Sequence, residues 1–209
     1  NKASLEVKVC QLVRLTRGNE VVKMSKRSGS FITLREMVDE VGRDAVRFMM
    51  VTRKNDAPLD FDYELVKEQT KDNPIFYIQY AHARICSVIR KVSEEKLFDI
   101  DDKYLLKSEI NLLDKNDDIE LIKIVSNFPR IIEQSAFYRE PHRLAFYLKD
   151  LASSFHSYWN LGNENADFKV INKDDIETSR ARLSLIRSVG ITISEGLSLL
   201  GIEALEELR

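Results

Sequence analysis

Long apolar runs are missing from this sequence of 209 residues. No stretch approaches the ~20 residues that a bilayer-spanning helix needs, and no signal peptide opens it, so no membrane partner is expected. Cysteine is scarce: Cys10 and Cys86 stand alone, without CxxC spacing. That excludes a disulfide scaffold and predicts buried thiols in a reducing, cytoplasmic setting. The three histidines, His82, His142 and His156, are scattered among helical patterns and show no metal-ligand grouping. An excess of positive charge is also absent. Lys and Arg number 32 against 34 Asp and Glu, a net charge of −2. A sequence-indifferent DNA coat would be strongly basic, so DNA is not the expected partner, although a local basic face for folded RNA remains possible. There is no low-complexity tract and no repeat of about 20–50 residues. An initiator methionine is lacking as well, and Asn1 is read as the start of a piece of something longer.

What is present is 44% hydrophobic and 32% charged. A chain of this length buries roughly 70% of its unfolded surface, enough for one large domain or two small ones. Residues 5–15, LEVKVCQLVRL, alternate apolar and polar and predict a strand. Residues 17–20 predict a turn, and 21–24 a returning strand. Thr33 with Glu36 fits a capping box for a helix that ends at Gly42. A second short helix is predicted over 44–52, and Asp62 suits the cap of a helix over 63–71, with Pro58 and its neighbouring aspartates breaking the chain between them. From Asn73-Pro74, a cap followed by proline at the first helical position, long helices take over. Ile75, Ile78, His82, Ile85, Ile89 and Val92 fall on one helix face, which makes His82 a hydrogen-bonded core residue rather than a catalyst. Residues 93–116 predict an irregular excursion. Helices follow over about 117–127, 129–138 and 141–160. In the last of these, Leu144, Leu148, Leu151, Phe155 and Trp159 form a stripe. A loop over 162–174 leads to a final helix over 176–200. The predicted fold is mainly α: an N-terminal β-hairpin and short helices feeding an antiparallel helical bundle.

Against that background the stretch VVKMSKRSGSF at 21–31 stands out. It concentrates Lys23, Lys26, Arg27, two serines and a glycine in one loop. Most charge runs only solvate a turn. The alternative is a phosphate clamp, with Lys23 and Lys26 flanking a phosphate while Ser25, Ser28 and backbone N–H groups add donors. Glycine and serine would let such a loop close and reopen.

KMSK after a strand and ahead of a capped helix resembles the second signature of class I aminoacyl-tRNA synthetases. VKMSKRSGSFITLREMVDEVGRDAVRFMMVTRKNDAPLDFD, and above all DNPIFYIQYAHARI at 72–85, resembles the arginyl-tRNA synthetase family. REPHRLAFYLKDLASSFHSYWN and ARLSLIRSVGITISEGLSLLGI resemble the same family's helical anticodon-binding domain. Cysteinyl-tRNA synthetase, which also carries a KMSK loop before a TLR helix start, is the alternative family. A stand-alone helical RNA-binding module and a helical interaction domain without RNA are the alternatives in other classes.

The resemblance implies an enzyme that uses ATP, with Mg²⁺ accompanying it, to attach arginine to its tRNA. It divides the chain into 1–33, the end of the catalytic domain with the KMSK loop; 34–72, a helical connector; and 73–209, the anticodon-binding domain. It makes Lys23, Met24, Ser25 and Lys26 the loop that grips the ATP phosphates. Lys26 and Lys23 would stabilise charge on the leaving pyrophosphate, where losing one comparable donor costs ~3–4 kcal/mol of barrier. No HxGH-type signature occurs, nor a strand–helix alternation that would build a nucleotide-binding sheet. The arginine- and adenine-binding residues are therefore expected upstream, in a missing N-terminal catalytic domain, and this chain alone is expected to be an inactive monomer with no metal site of its own. RNA loops are read by stacking splayed bases on aromatic or guanidinium planes. Trp159 beside Tyr158 is a candidate platform, or else simply core. Tyr80 and Arg84, one turn apart, face RNA or pack internally. Arg139, His142 and Arg143 are expected to open a helix, touching phosphates or solvating its first turn. The family often ends in a proline and a terminal methionine after LLGI, whereas here the last residues read GIEALEELR.

Overall fold

The computed structural model describes residues 5–18, 20–22 and 32–208. Strand β1 (Val13–Arg17) turns at Gly18 into β2 (Glu20–Val21), which pairs with it antiparallel. The hairpin is where the sequence places it, but its first strand begins at Val13 and not at Leu5. Residues 5–12 are exposed and outside regular structure, because the partner strand reaches only the 13–16 stretch.

That partner follows two short helices. The Thr33–Glu36 capping box opens α1 (Leu34–Val41): the Glu36 N–H donates to Thr33 Oγ1 at 3.1 Å, and the Thr33 N–H donates to Glu36 Oε2 at 2.7 Å. Gly42, at φ +89°, ends it and leads into α2 (Arg43–Val51). Then β3 (Leu59–Asp62) runs parallel to β1, Val13 opposite Leu59 and Thr16 opposite Asp62, giving the order β2-β1-β3. Sequence reasoning treats Pro58 and its aspartates as a break and misses this strand. The segment pairs because Leu59 and Phe61 alternate into the core while Asp60, on the other face, binds Arg14 at 2.6 Å.

Asp62 caps α3 (Tyr63–Lys67), its Oδ1 accepting from the Glu64 N–H at 2.9 Å. The helix stops at Lys67 rather than Lys71, because the Asn73 side-chain amide donates to the carbonyls of Val66 and Glu68, both at 2.8 Å. Leu15, Met37, Val46, Phe61, Tyr63 and Val66 close the small core that these elements share.

Asn73 also caps the long α4 (Pro74–Glu94). The excursion that follows is not wholly irregular, since it holds α5 (Asp102–Leu105) and a 3₁₀ turn at Ile110–Leu112. Then come α6 (Asn116–Ser126), α7 (Phe128–Tyr138), α8 (His142–Glu164), a 3₁₀ turn at Ala166–Phe168, and α9 (Ile176–Leu199). The stripes read from sequence are the buried faces. Ile78, Ile85, Leu148, Leu151, Phe155, Leu183, Ile186, Ile193 and Leu197 are shut off from solvent. Helix α9 runs antiparallel to both α4 and α8. Gly196 near its end meets Leu148 near the start of α8, while Ile85 of α4 meets Gly190 and the tail beyond α9 returns to Gln79 and His82.

His82 is a core histidine: its Nδ1–H donates to the Leu205 carbonyl at 2.9 Å. The cysteines depart from expectation. Cys10 is exposed, on a segment the sheet does not cover, and Cys86 is half-buried, its thiol pushed up by burial.

One polar network crosses the core. Asp118, fully buried, accepts a 2.6 Å bond from the Tyr158 hydroxyl and lies 3.9 Å from the Arg182 guanidinium. Arg182 in turn donates to the Lys169 carbonyl at 2.9 Å. Removing one member leaves a charge buried and unpaired. Asp118→Ala is therefore expected to cost about 3–5 kcal/mol in urea unfolding, and Thr33→Ala, which loses only an exposed cap, about 1 kcal/mol. Equal losses would contradict the assignment of Asp118 as a core tie.

Candidate nucleic-acid interface

A helix that buries one stripe leaves its other faces available. On α4 the positions i, i+4 and i+8 beside the buried stripe are Phe76, Tyr80 and Arg84. They form a column. The Phe76 and Tyr80 rings lie nearly parallel, 6.0 Å apart at 8°. The Arg84 guanidinium sits 4.5 Å from the centroid of the Tyr80 ring and 5.4 Å from that of Trp159 on α8. It also hydrogen-bonds the Tyr80 hydroxyl. Tyr80 is 37% exposed, and Arg84 and Trp159 are half-buried. Tyr80 and Arg84 thus pack against each other and still present a surface. Trp159 likewise ends the α8 stripe against Phe155, at 6.3 Å, while reaching the column. Packing and partial exposure coexist in each of these side chains.

His156 supports the column from behind. Its ring lies 4.4 Å from Tyr77 and 5.4 Å from Tyr80. Its Nε2 is 3.2 Å from the Tyr77 carbonyl, which can only accept, so Nε2 carries the hydrogen. Burial holds its pKa below the ordinary value, with the Tyr77 bond acting the other way and Arg84 adding to the depression. Beside the column runs the C-terminal tail. Gln79 donates to the Glu203 carbonyl at 3.1 Å, and Arg90 pairs with Glu207 at 2.9 Å. Sequence reasoning singles out neither Phe76 nor His156 for this face. The Phe76–Tyr80–Arg84 spacing was a legible signal, whereas His156 and the tail reach the site only through tertiary packing.

The remaining candidates lie elsewhere. Tyr158 is not part of any platform: it is 2% exposed, turned inward to Asp118. Arg139 does not open a helix but closes α7 in the left-handed conformation, φ +54° and ψ +47°, and pairs with Glu6. His142 is buried, 4% exposed. Arg143 binds Glu140 at 2.5 Å and lies over the Tyr138 ring at 5.2 Å. From Arg143 to His156 is about 20 Å along α8 at ~1.5 Å per residue, so Arg139 and Arg143 form a separate corner. Lys23, Met24, Ser25 and Lys26 lie outside the described residues. Among the described residues there is no cluster of three or more His, Cys, Asp or Glu that could hold a metal ion, and no helix long and apolar enough to cross a membrane.

Residues 78–208 match the DALR anticodon-binding domain family. Over its whole length the chain is similar to arginine–tRNA ligases. It is 54% identical over 207 residues to that of Parvibaculum lavamentivorans and 53% identical over 209 residues to that of Bartonella quintana. These alignments cover 99% and 100% of this chain and 36% of each relative, so the chain spans about a third of the length of the proteins it matches. Among solved structures, the arginyl-tRNA synthetase of Thermus thermophilus superposes with a TM-score of 0.64 at 31% identity, covering 88% of this chain and 29% of that one. A Campylobacter jejuni protein provisionally described as an arginyl-tRNA synthetase superposes with a TM-score of 0.79 at 29% identity, covering 95% of this chain and 40% of that one.

The depressed pKa of His156 has a consequence for stability. The unfolded chain takes up a proton near the ordinary value of 6.5, and the folded chain resists it until lower pH. More protons bind to the unfolded state in that window, so stability falls as pH drops below about 6.5 and levels off beneath the folded pKa. His142, depressed by its own burial, contributes in the same direction. His156→Gln is expected to flatten the melting-temperature profile between pH 7 and pH 5, and an unchanged slope would show that this imidazole is not held neutral.

Proposed function

This chain belongs to the DALR anticodon-binding domain family and matches the C-terminal part of arginine–tRNA ligases, and on that premise we propose that its helical body recognises the anticodon loop of arginine tRNA. The observation that carries the proposal is the Phe76–Tyr80–Arg84–Trp159 column, a row of π and guanidinium faces partly open to solvent. A flat face binds any base by stacking, and a guanidinium adds donors for base edges or phosphate. Tyr80, Arg84 and Trp159 are the contacts we assign to bases. Arg139 and Arg143, each already paired with a carboxylate, are assigned a weaker, phosphate-directed role.

In the same proposal the whole ligase uses ATP with Mg²⁺ to attach arginine. Lys23, Met24, Ser25 and Lys26 grip the ATP phosphates, and the two lysines stabilise the departing pyrophosphate. The arginine and adenine sites belong to an N-terminal catalytic domain that this chain does not supply. The chain divides at 33 and 72 into the end of that domain, a connector and the anticodon-binding body, and works as a monomer in the cytoplasm. Cysteinyl-tRNA synthetase gains no support, since the relatives reported above are arginine–tRNA ligases.

Binding of an arginine-tRNA anticodon hairpin, followed by fluorescence anisotropy of the labelled RNA, tests the reading. Arg84→Ala is expected to weaken binding by about 1–3 kcal/mol, or roughly 5- to 150-fold, without shifting the melting temperature by more than a few degrees. Equal affinity for a hairpin of unrelated loop sequence would sink the anticodon assignment. In pyrophosphate exchange the chain alone is expected to give no arginine-dependent turnover, and clear turnover would refute the division of labour.

A further inference from the structure

Past Trp159, away from Tyr80, the C-terminal parts of α4 and α8 and the segment 169–173 line a cavity of about 360 Å³. That size falls within the range of small-ligand sites. Its depth is apolar, formed by the buried Val92 and Val170 with the half-buried Val88 and Ile171. Trp159 is one wall. Its mouth is cationic: Lys91, Lys169 and Lys173 are exposed there, and the single facing carboxylate, Glu95, binds Lys173 at 2.7 Å and lies 3.8 Å from Lys91. One carboxylate cannot balance three ammonium groups, so the mouth stays positive.

The outer wall is built and anchored. Arg182 holds the Lys169 carbonyl, and Ser179 exchanges hydrogen bonds with Asn172 in both directions, its hydroxyl accepting from the Asn172 N–H at 2.7 Å and donating to the Asn172 carbonyl at 2.9 Å. Gly162 lets the backbone at 168–169 press onto α8, since a Cβ there would sit 2.9 Å from the Phe168 carbonyl oxygen. An apolar slot walled by an indole and rimmed by lysines matches a nucleotide: the base enters the slot and the phosphate stays at the mouth.

We propose that this cavity receives a second extruded nucleotide of the bound RNA loop, the neighbour of the one stacked on Tyr80 and Arg84, with its base against Trp159 and its phosphate between Lys169 and Lys173. Continuity favours a loop nucleotide over a free one, because Trp159 belongs to both the column and the cavity wall. The proposal rests on the RNA reading above.

Its test uses hairpins with one abasic site at each loop position in turn, titrated against the 209-residue chain, with Trp159, the only tryptophan, as the fluorophore. Two loop positions are expected to lose about tenfold or more in affinity when abasic. Arg84→Ala should abolish the sensitivity at one, and Val88→Phe, which fills the apolar slot, should abolish it at the other. If Val88→Phe leaves every abasic penalty unchanged while Arg84→Ala removes one, the cavity proposal fails and the RNA reading stands. If no hairpin binds, both fail. The exposed pair Lys169→Ala and Lys173→Ala decides the matter should Val88→Phe unfold. Together they are expected to reduce the slope of log affinity against log salt by about one, and an unchanged slope overturns the proposal. Quenching of Trp159 by millimolar CMP or AMP, with no abasic position sensitive to Val88→Phe, would assign the cavity to a free nucleotide and equally overturn it.

Discussion

Everything on the candidate interface depends on how α9 is gripped between α4 and α8. The three long helices bury one stripe each, and α9, antiparallel to both partners, is closed off along Leu183, Ile186, Ile193 and Leu197. Burying that much aliphatic surface, at ~25 cal/mol per Å², fixes the rotation of α4 and α8 about their own axes. Once the rotation is fixed, the residues a quarter-turn away have no choice of direction. Phe76, Tyr80 and Arg84 emerge together, and His156 and Trp159 come up beside them from α8. The column is a by-product of core packing.

Polar ties do a different job. The Tyr158–Asp118–Arg182 chain adds little hydrophobic energy but joins the start of α6 to the C-terminal part of α8 and the start of α9, and through Lys169 to the segment that walls the cavity. Buried ion pairs are weak evidence for net stability, and their better-attested role is to specify one arrangement among several. Here the specified arrangement is the position of a loop that carries cationic side chains. Tail residues Glu203 and Leu205, bound to Gln79 and His82, do the same on the opposite side of the column. The carbonyls of Glu203 and Leu205 that bind α4 do not depend on the identity of the tail's side chains.

Much of this was legible in the chain itself. Caps at Thr33, Asp62 and Asn73, and the stripes from Ile75 and Leu144, placed the helices within a few residues because each is a local signal. What escaped reading was non-local. The strand at Leu59–Asp62 exists only because β1 offers a parallel edge, and the alternating pattern at Leu5–Val9 does not become a strand because no described segment pairs with it. Tyr158 looked like a partner for Trp159 because they are adjacent, yet adjacent helical residues point about 100° apart, and this one points into the core. Arg139, expected to open a helix, closes α7 instead, because a left-handed residue leaves no clear trace in sequence unless it is glycine.

Two aromatic and basic surfaces are candidates for the proposed RNA contact: the α4–α8 column and the corner bearing Phe137, Tyr138, Arg139 and Arg143. The corner is the more exposed, Phe137 by 72%, but its arginines are already paired with carboxylates. Photo-crosslinking decides between them most directly. An anticodon hairpin carrying a photoreactive loop base, irradiated in complex with the chain and mapped by mass spectrometry, should attach to Tyr80 or Trp159. Attachment confined to Phe137 and Tyr138 would contradict the account at its centre.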